Sequence, residues 1–401
     1  MKVSIIGQGY VGLTIAIAAS EIHDVIGFDT NKFLVEKLNM GQSHVEGIDS
    51  DLIKRRLNSR KYRATSNESD LDFSEVIVIA VPTPLTSDRK SDLSFIESAC
   101  ELIGKNVTNS ALIINESTSY PGTLRNLIKP TIEKYSQANL SHYYAISPER
   151  VDPGRVDYNQ KNTPRLYSGL NLEAFRKTRE FYSSFCDQLV QVSSPEVAEA
   201  AKLFENTFRQ VNIALVNEFS QICFALGIDV HEVINAANTK PYGFMKFNPG
   251  AGVGGHCIPV DPIYLAEIAE SHGAPSTFIR LANEVNLGMA KYIVDRIKKD
   301  HQDNIRDKQV LIVGVAYKAD VADVRETAAE LVRNYLKIEG AKVSWHDEIV
   351  SKWNTESSAP LSGADITIVL TMHSYLKHDL IVNSAPYVFD TTGKLTGAAK
   401  L

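Results

Sequence analysis

The stretch KVSIIGQGYVGLTIAIAA, residues 2–19, leaves a chain few ways to fold. Val3 to Ile6 is an apolar run of strand length, Gly7-Gln8-Gly9-Tyr10-Val11-Gly12 is a GxGxxG turn, and Leu13 to Ala19 is a run of apolar and small residues that reads as the helix behind the strand. A second run, DVIGFD, ends on Asp29, at the spacing where an acidic residue accepts hydrogen bonds from the adenosine ribose hydroxyls. Strand, turn, helix, strand and acid together make a dinucleotide fingerprint. Gly7, Gly9 and Gly12 let a pyrophosphate approach the helix N-terminus, where unpaired N–H groups and the helix dipole favour an anion. Asp29 repels a 2′-phosphate, so the expected cofactor is NAD rather than NADP. Gln8 is expected at an exposed position of the turn.

The sheet is expected to continue through SEVIVIAVPTP (74–84), ALIINEST (111–118) and YYAISPER (143–150). Ligands of doubly wound sheets bind outside the carboxyl ends of the strands, which puts Pro82-Thr83-Pro84, Glu116-Ser117-Thr118 and Pro148-Glu149-Arg150 on the cofactor rim. Simple loop chemistry is the alternative for the two prolines. After Ser194 as cap, Pro195 opens PEVAEAAKLFENTFRQVNIALVNEFSQICFAL, which runs without a breaker to Gly227. This predicts one helix of roughly 45 Å from its rise per residue. Lys202, Asn206 and Arg209 lie at i, i+4 and i+7, either a solvated stripe or the start of an oxyanion clamp.

Cys257 stands in PGAGVGGHCIPVDP, residues 249–262, where glycines and prolines favour a bent loop over a regular element. A loop of that kind can present a thiol as a nucleophile; a cysteine without chemistry is the bland alternative. The last hundred residues repeat the first in outline. QVLIVGVAYKADVADVRET is again strand, glycine and, after a polar excursion, helix; KVSWHD ends in Asp347 as DVIGFD ends in Asp29; ADITIVLT parallels SEVIVIAV. The second glycine motif is degraded, with Tyr317-Lys318 after Gly314, so this domain is expected to bind a nucleotide other than the cofactor. Lys318 and Arg325 are its candidate diphosphate ligands.

A length of 401 residues with 44% hydrophobic composition supports two or three domains. A net charge of −6 without basic clusters argues against nucleic acid as a partner, and no apolar stretch is long enough to span a bilayer. The four cysteines show no metal or pairing spacing and the N-terminus has no signal-peptide pattern, which together point to a reducing cytoplasm.

The chain resembles the UDP-sugar 6-dehydrogenases, the UDP-glucose and UDP-N-acetylhexosamine dehydrogenases, over nearly its whole length. The resemblance is carried, in the family's order, by the GxGxxG turn, ESTSYPGT, SPERVDPG, KLFENTFRQVNIA, GAGVGGHCIPVDP and GVAYKADVADVRET. It implies that Cys257 is the catalytic cysteine, Lys202 and Asn206 the oxyanion-stabilising pair, and Asp261 the carboxylate that helps activate water. Thr118 and Glu149 match polar residues near the reacting carbon and nicotinamide. Cofactor contacts are implied at Gly7, Gly9, Tyr10, Val11, Gly12, Asp29, Pro82, Thr83, Thr118 and Arg325. Substrate contacts are implied at Glu149, Arg150 and Val151, at Lys202, Asn206 and Arg209, and at Phe247, Gly254, Gly255 and Lys318.

The implied reaction oxidises a primary alcohol twice with two NAD+ and releases a carboxylate, through a thioester on Cys257. SPERVDPG, ENTFRQVNIA, TKPYGFMKFNPGAGVGGHC and GQSHVEG look like the UDP-N-acetylhexosamine branch, and Tyr242-Gly243-Phe244-Met245 like the UDP-N-acetylglucosamine type. Thr392 in DTTGK stands where relatives often carry a basic residue. The expected architecture is α/β: an NAD-binding Rossmann domain over 1–192, a central helical domain over 193–300 and a UDP-sugar-binding Rossmann-like domain over 301–401. A homodimer packed across the long helix is expected, since that helix is too apolar for a small middle domain to cover. Three readings stay open: a four-electron UDP-N-acetylhexosamine dehydrogenase of surface-polysaccharide precursor synthesis, with UDP-glucose and UDP-N-acetylmannosamine as alternative substrates; a single-step hydroxyacid dehydrogenase; and a catalytically silent NAD-binding regulatory protein.

Overall fold

The computed structural model describes residues 1–45, 47–138, 140–151 and 157–401. Residues 152–154 of SPERVDPG and Glu46 of GQSHVEG lie outside the described residues. By its internal contacts the chain divides into two units, Met1–Glu205 and Asn206–Leu401.

The first unit carries β1 (Lys2–Ile6), β2 (Asp24–Phe28), β3 (Tyr62–Thr65), β4 (Val76–Ile79), β5 (Leu112–Asn115), β6 (Tyr143–Ile146), β7 (Arg165–Gly169) and β8 (Leu189–Gln191). They form one sheet in the order β3-β2-β1-β4-β5-β6-β7-β8, parallel except where β7 runs antiparallel to β6. The strand order reverses between β1 and β4, and the glycine turn follows β1 at that point. Because a strand has a side-chain period of two, its apolar run feeds both faces of the sheet. Val3, Ile5, Val76, Val78, Leu112 and Ile114 enter one core, while Ile6, Ile77, Ile79 and Ile113 enter the other.

The second unit carries β9 (Gln309–Val313), β10 (Lys342–His346), β11 (Ile366–Val369), β12 (Tyr387–Asp390) and β13 (Ala399–Lys400), all parallel, in the order β10-β9-β11-β12-β13. Its strand order reverses between β9 and β11, so the loop carrying Tyr317 and Lys318 opens at the crevice where such sheets hold ligands. Helices Asp261–Ser271 and Thr277–Asp300 belong to this unit, and the long helix Pro195–Leu226 begins in the first unit and ends in the second. The fold class is thus α/β with two Rossmann-like parallel sheets and a helical centre.

The repeat read between the two ends of the chain extends to individual hydrogen bonds. Gly7 N–H donates to Phe28 O and Gln8 N–H to Asp29 Oδ2; in the second sheet Gly314 N–H donates to His346 O, and Val315 and Ala316 N–H to Asp347 Oδ2. The two acids then part company. Asp29 is partly exposed, whereas Asp347 is buried and also bonded by His373 Nε2 at 3.0 Å and by the Tyr375 hydroxyl at 3.3 Å. An acid closed off in this way is not available to a ribose.

Candidate active site

In the first unit the glycine turn fits a dinucleotide. Gly7 has φ +91°, and a Cβ there would stand 2.4 Å from Ala80 O; a Cβ on Gly12 would meet Gly7 O at 1.8 Å. Both are needed for the turn itself. A Cβ on Gly9 would meet nothing within 4 Å, so the middle glycine leaves open the side from which a pyrophosphate approaches. Tyr10 and Val11 begin the helix Tyr10–Ala19, and Asp29 Oδ1 accepts from Asn31 N–H while its other oxygen holds Gln8.

Gln8 corrects the sequence reading. It is buried, not exposed: its Nε2 donates to Ile5 O and Gly7 O, and its Oε1 accepts from the Tyr62 hydroxyl at 2.9 Å. The side chain turns inward beneath the glycine turn and fills the space left by Gly27, whose Cβ would meet Gln8 Oε1 at 2.3 Å.

The rim beside the turn is built from the ends of β4, β5 and β6. Ser117 Oγ accepts from Val81 N–H at 2.9 Å and donates to Val81 O at 2.9 Å, tying the loop of Pro82 and Thr83 to that of Thr118. The far side of the Thr118 loop is held by Glu199 of the long helix, which accepts from Gly122 N–H at 2.7 Å, Leu124 N–H at 3.1 Å and the Ser119 hydroxyl. Lys202 follows Glu199 by three residues, close to one helical turn.

After β6, Glu149 folds back over its own backbone. Its Oε1 accepts from Arg150 and Val151 N–H, both at 2.6 Å, and its Oε2 accepts from Arg165 at 3.1 Å and from the Gln160 amide. Burial works to raise the Glu149 carboxyl; Arg165, Gln160, Val151 N–H and the nearby Lys202 outweigh it and hold it below its usual value. Arg150 is committed elsewhere, to Glu205 at 2.6 Å and Pro164 O at 2.9 Å.

The second unit holds the cysteine. Cys257 is partly exposed, and its carbonyl accepts from Val260 N–H at 3.1 Å and Asp261 N–H at 2.8 Å, a turn that leads directly into the helix Asp261–Ser271. Asp261 opens that helix with Pro262 behind it, and Asn206 Nδ2 donates to its Oδ2 at 2.6 Å. Arg325 pairs with Asp323 at 2.6 Å and its carbonyl accepts Gly255 N–H at 3.0 Å. The hydrogen bonds to Asp323 raise the Arg325 pKa against the cost of burial, with smaller contributions from Tyr317 and Cys257, so this guanidinium lies within electrostatic range of the thiol.

Gly255 has φ +85°, and a Cβ on it would stand 2.9 Å from the Tyr317 ring; on Gly254 a Cβ would stand 2.6 Å from Tyr317 Cβ. Packing against the loop that carries Lys318 is therefore one physical reason for both glycines. Phe247 meets Phe208 edge to face at 6.0 Å between centroids.

The long helix buries a polar stripe that overlaps only at Asn206 with the 202, 206 and 209 stripe read in the sequence. Asn206, Gln210 and Asn217 are buried, while Arg209 is exposed. Asn217 Oδ1 accepts Gly250 N–H at 2.9 Å, its Nδ2 donates to Asn286 Oδ1 at 2.9 Å, and Asn286 Nδ2 donates to Gln210 O at 3.1 Å. These amides anchor the start of the cysteine loop, and sequence reasoning missed them. The spacing of 206, 210 and 217 on one helix was the available signal.

Among the described residues no cluster of His, Cys, Asp and Glu could hold a metal, and no helix is long and apolar enough to cross a membrane.

Comparison with known proteins supplies the family. Three models of the UDP-glucose/GDP-mannose dehydrogenase family match along the chain: the NAD binding domain over residues 1–186, the central domain over 196–287 and the UDP binding domain over 311–396. A UDP-N-acetyl-D-mannosamine dehydrogenase of Methanococcus maripaludis is 34% identical, covering 94% of this chain and 87% of that protein. A UDP-N-acetyl-D-glucosamine 6-dehydrogenase of Pseudomonas aeruginosa is 33% identical, covering 94% and 92%. The solved structure of a UDP-D-ManNAc dehydrogenase from Pyrococcus horikoshii superposes with a TM-score of 0.91 at 30% identity, covering all of this chain and 97% of that one. With the matched models spanning both sheets and the helices between, the chain belongs to the UDP-glucose/GDP-mannose dehydrogenase family and is an NAD-dependent UDP-sugar dehydrogenase.

Proposed function

We propose that the protein oxidises the primary alcohol of a UDP-N-acetylhexosamine to the carboxylate in two stages, through a thioester on Cys257, and that UDP-N-acetylglucosamine is its substrate. The observation that carries this reading is the turn at Cys257. The thiol stands at the entry to the helix that Asp261 opens, and Asn206 is already bonded to that carboxylate. A one-stage alcohol dehydrogenase has no use for a nucleophile there, because the alcohol loses its hydride directly. An aldehyde does not; it must first become tetrahedral.

NAD, when bound, accepts the hydride at each stage. The Cys257 thiolate adds to the aldehyde carbon, forming a C–S bond and an alkoxide. Loss of hydride from that hemithioacetal leaves the thioester, and water cleaves it to carboxylate and free thiol, with Asp261 taking or orienting the proton of the water. Lys202 and Asn206 stabilise the oxyanion at the tetrahedral stages. Thr118 and Glu149 face the reacting carbon and nicotinamide in this reading, Arg325 contacts the cofactor, and Lys318 holds the diphosphate.

The sugar assignment rests on the SPERVDPG and FRQVNIA motifs, and the relatives named above act on two different epimers at nearly equal identity. A panel of UDP-sugars with NAD decides it. UDP-N-acetylglucosamine is expected to exceed UDP-glucose in kcat/KM by about tenfold or more, the scale of one well-placed polar contact to the acetamido group. A better rate with UDP-glucose would overturn the branch, and one with UDP-N-acetylmannosamine only the epimer.

We also infer a homodimer. Phe208, Leu215, Ile222 and Leu226 form an exposed apolar stripe along the long helix, a surface that a second copy would cover. Sedimentation as a monomer at assay concentration would contradict it.

A further inference from the structure

Behind Glu149 lies a cluster that the reaction scheme does not use. Arg165, at the start of β7, sends one guanidinium nitrogen to Glu116 Oε2 at 2.8 Å and to Ser147 Oγ at 3.1 Å, and the other to Glu149 Oε2 at 3.1 Å and to the Gln160 amide oxygen. The Tyr182 hydroxyl donates to the other oxygen of Glu116, and the Tyr182 ring lies 4.6 Å below the guanidinium. All three charged side chains are nearly closed to water, at 4% exposure for Arg165, 0% for Glu116 and 9% for Glu149. Two buried carboxylates thus share one buried guanidinium. Charged groups so far from water are costly unless they are paired and hydrogen-bonded, as these are.

We propose that Arg165 is a positioning residue for Glu149: Glu116 fixes the guanidinium from behind, and the guanidinium in turn holds the Glu149 carboxylate in one place and in its charged form. The proposal rests on the assignment of Glu149 to the reacting site made above. Glu149 has four donors on its two oxygens, a complement that leaves it no rotational freedom.

The electrostatics of the cluster agree with this division of labour. Burial pushes Glu116 up to about 7, against the pull of Arg165 and with the charge of Glu149 adding to the rise, while Glu149 itself is held low. As the pH falls, Glu116 is therefore the first of the two carboxyl groups to take up a proton and Glu149 the one that keeps its charge. Among the described residues, the other titratable or charged groups facing it are Tyr182 and Cys186, on the side of Arg165, and Lys202, on the side of Glu149.

The sign of the effect follows. Glu149 is held below its usual pKa chiefly by Arg165 against burial, so removing the guanidinium raises it and activity at acid pH falls. In Arg165→Met the acid limb of the kcat/KM profile is expected to move toward neutrality by about one to three pH units, the range for losing an adjacent opposite charge. Since that variant leaves two buried carboxylates facing each other, the double variant Arg165→Met with Glu116→Gln, which removes one charge of each sign, is measured beside it and is expected to show the same upward move. Glu116→Gln alone keeps the guanidinium on Glu149, so its limb stays at the wild-type position or below.

A folded double variant whose acid limb stays in place, with Glu149→Gln strongly impaired, would overturn the positioning role and leave the Glu149 assignment standing. Full activity of Glu149→Gln would overturn that assignment and the proposal with it.

Discussion

Cys257→Ser abolishes steady-state oxidation while binding of NAD and of the UDP-sugar stays within a few-fold. Serine is close in size to cysteine, and the backbone bonds from Val260 and Asp261 N–H to the residue 257 carbonyl, which lead into the Asp261–Ser271 helix, do not depend on the side chain. What is lost is nucleophilicity: a hydroxyl is a far weaker nucleophile than a thiol near neutral pH. The aldehyde stage then stops at the step where the carbon must become tetrahedral. The measurement is NADH formation over many turnovers, with NAD and UDP-sugar affinities determined separately by calorimetry. Turnover near the wild-type rate would remove the covalent mechanism.

The second large effect is expected at Lys202. Removing one preorganised donor from a developing oxyanion costs about a hundredfold or more in turnover, so Lys202→Ala should lower kcat by that factor. Its place on the helix supports the role. Lys202 lies close to one turn beyond Glu199, whose carboxylate anchors the Thr118 loop, and its charge is felt by the buried Glu149. If Lys202→Ala changed the melting temperature and left kcat within a few-fold, the solvated stripe would be the right description of this side chain.

What could be read from the sequence follows from the range over which each signal acts. The glycine turn, its strand and its helix are fixed within a dozen residues, and the GxGxxG pattern states the backbone geometry almost directly, so the start of the first sheet was legible, while β3, β7 and β8 were not. The second sheet was legible because it repeats the first, down to an acid at the end of its second strand. The helix spacing of Lys202 and Asn206 was equally local. By contrast, the bond from Asn206 to Asp261 joins residues 55 apart, and that from Asn217 to Asn286 residues 69 apart. No local pattern announces such pairings.

The misreading of Gln8 has the same origin. Gln8 looked exposed because turn positions usually are; what draws it inward is Tyr62, on a strand 54 residues away, together with the space over Gly27. Of the stripe read at 202, 206 and 209, Arg209 is exposed, as a solvated stripe would have it, and the helix turns its buried side toward 206, 210 and 217. Arg165 was invisible for a further reason. It opens a strand whose remaining residues read as ordinary sheet, and its two carboxylate partners come from the ends of two other strands, 49 and 16 residues back in the chain.

The stoichiometry of NADH per UDP-sugar consumed bears most directly on the central claim, that Cys257 carries the aldehyde to the acid. With limiting UDP-N-acetylhexosamine, excess NAD and the reaction run to completion, the account predicts two NADH for each UDP-sugar and a uronate as the sole product. One NADH with an aldehyde that accumulates would contradict it and leave a single-step dehydrogenase; none would leave an NAD-binding protein without this activity.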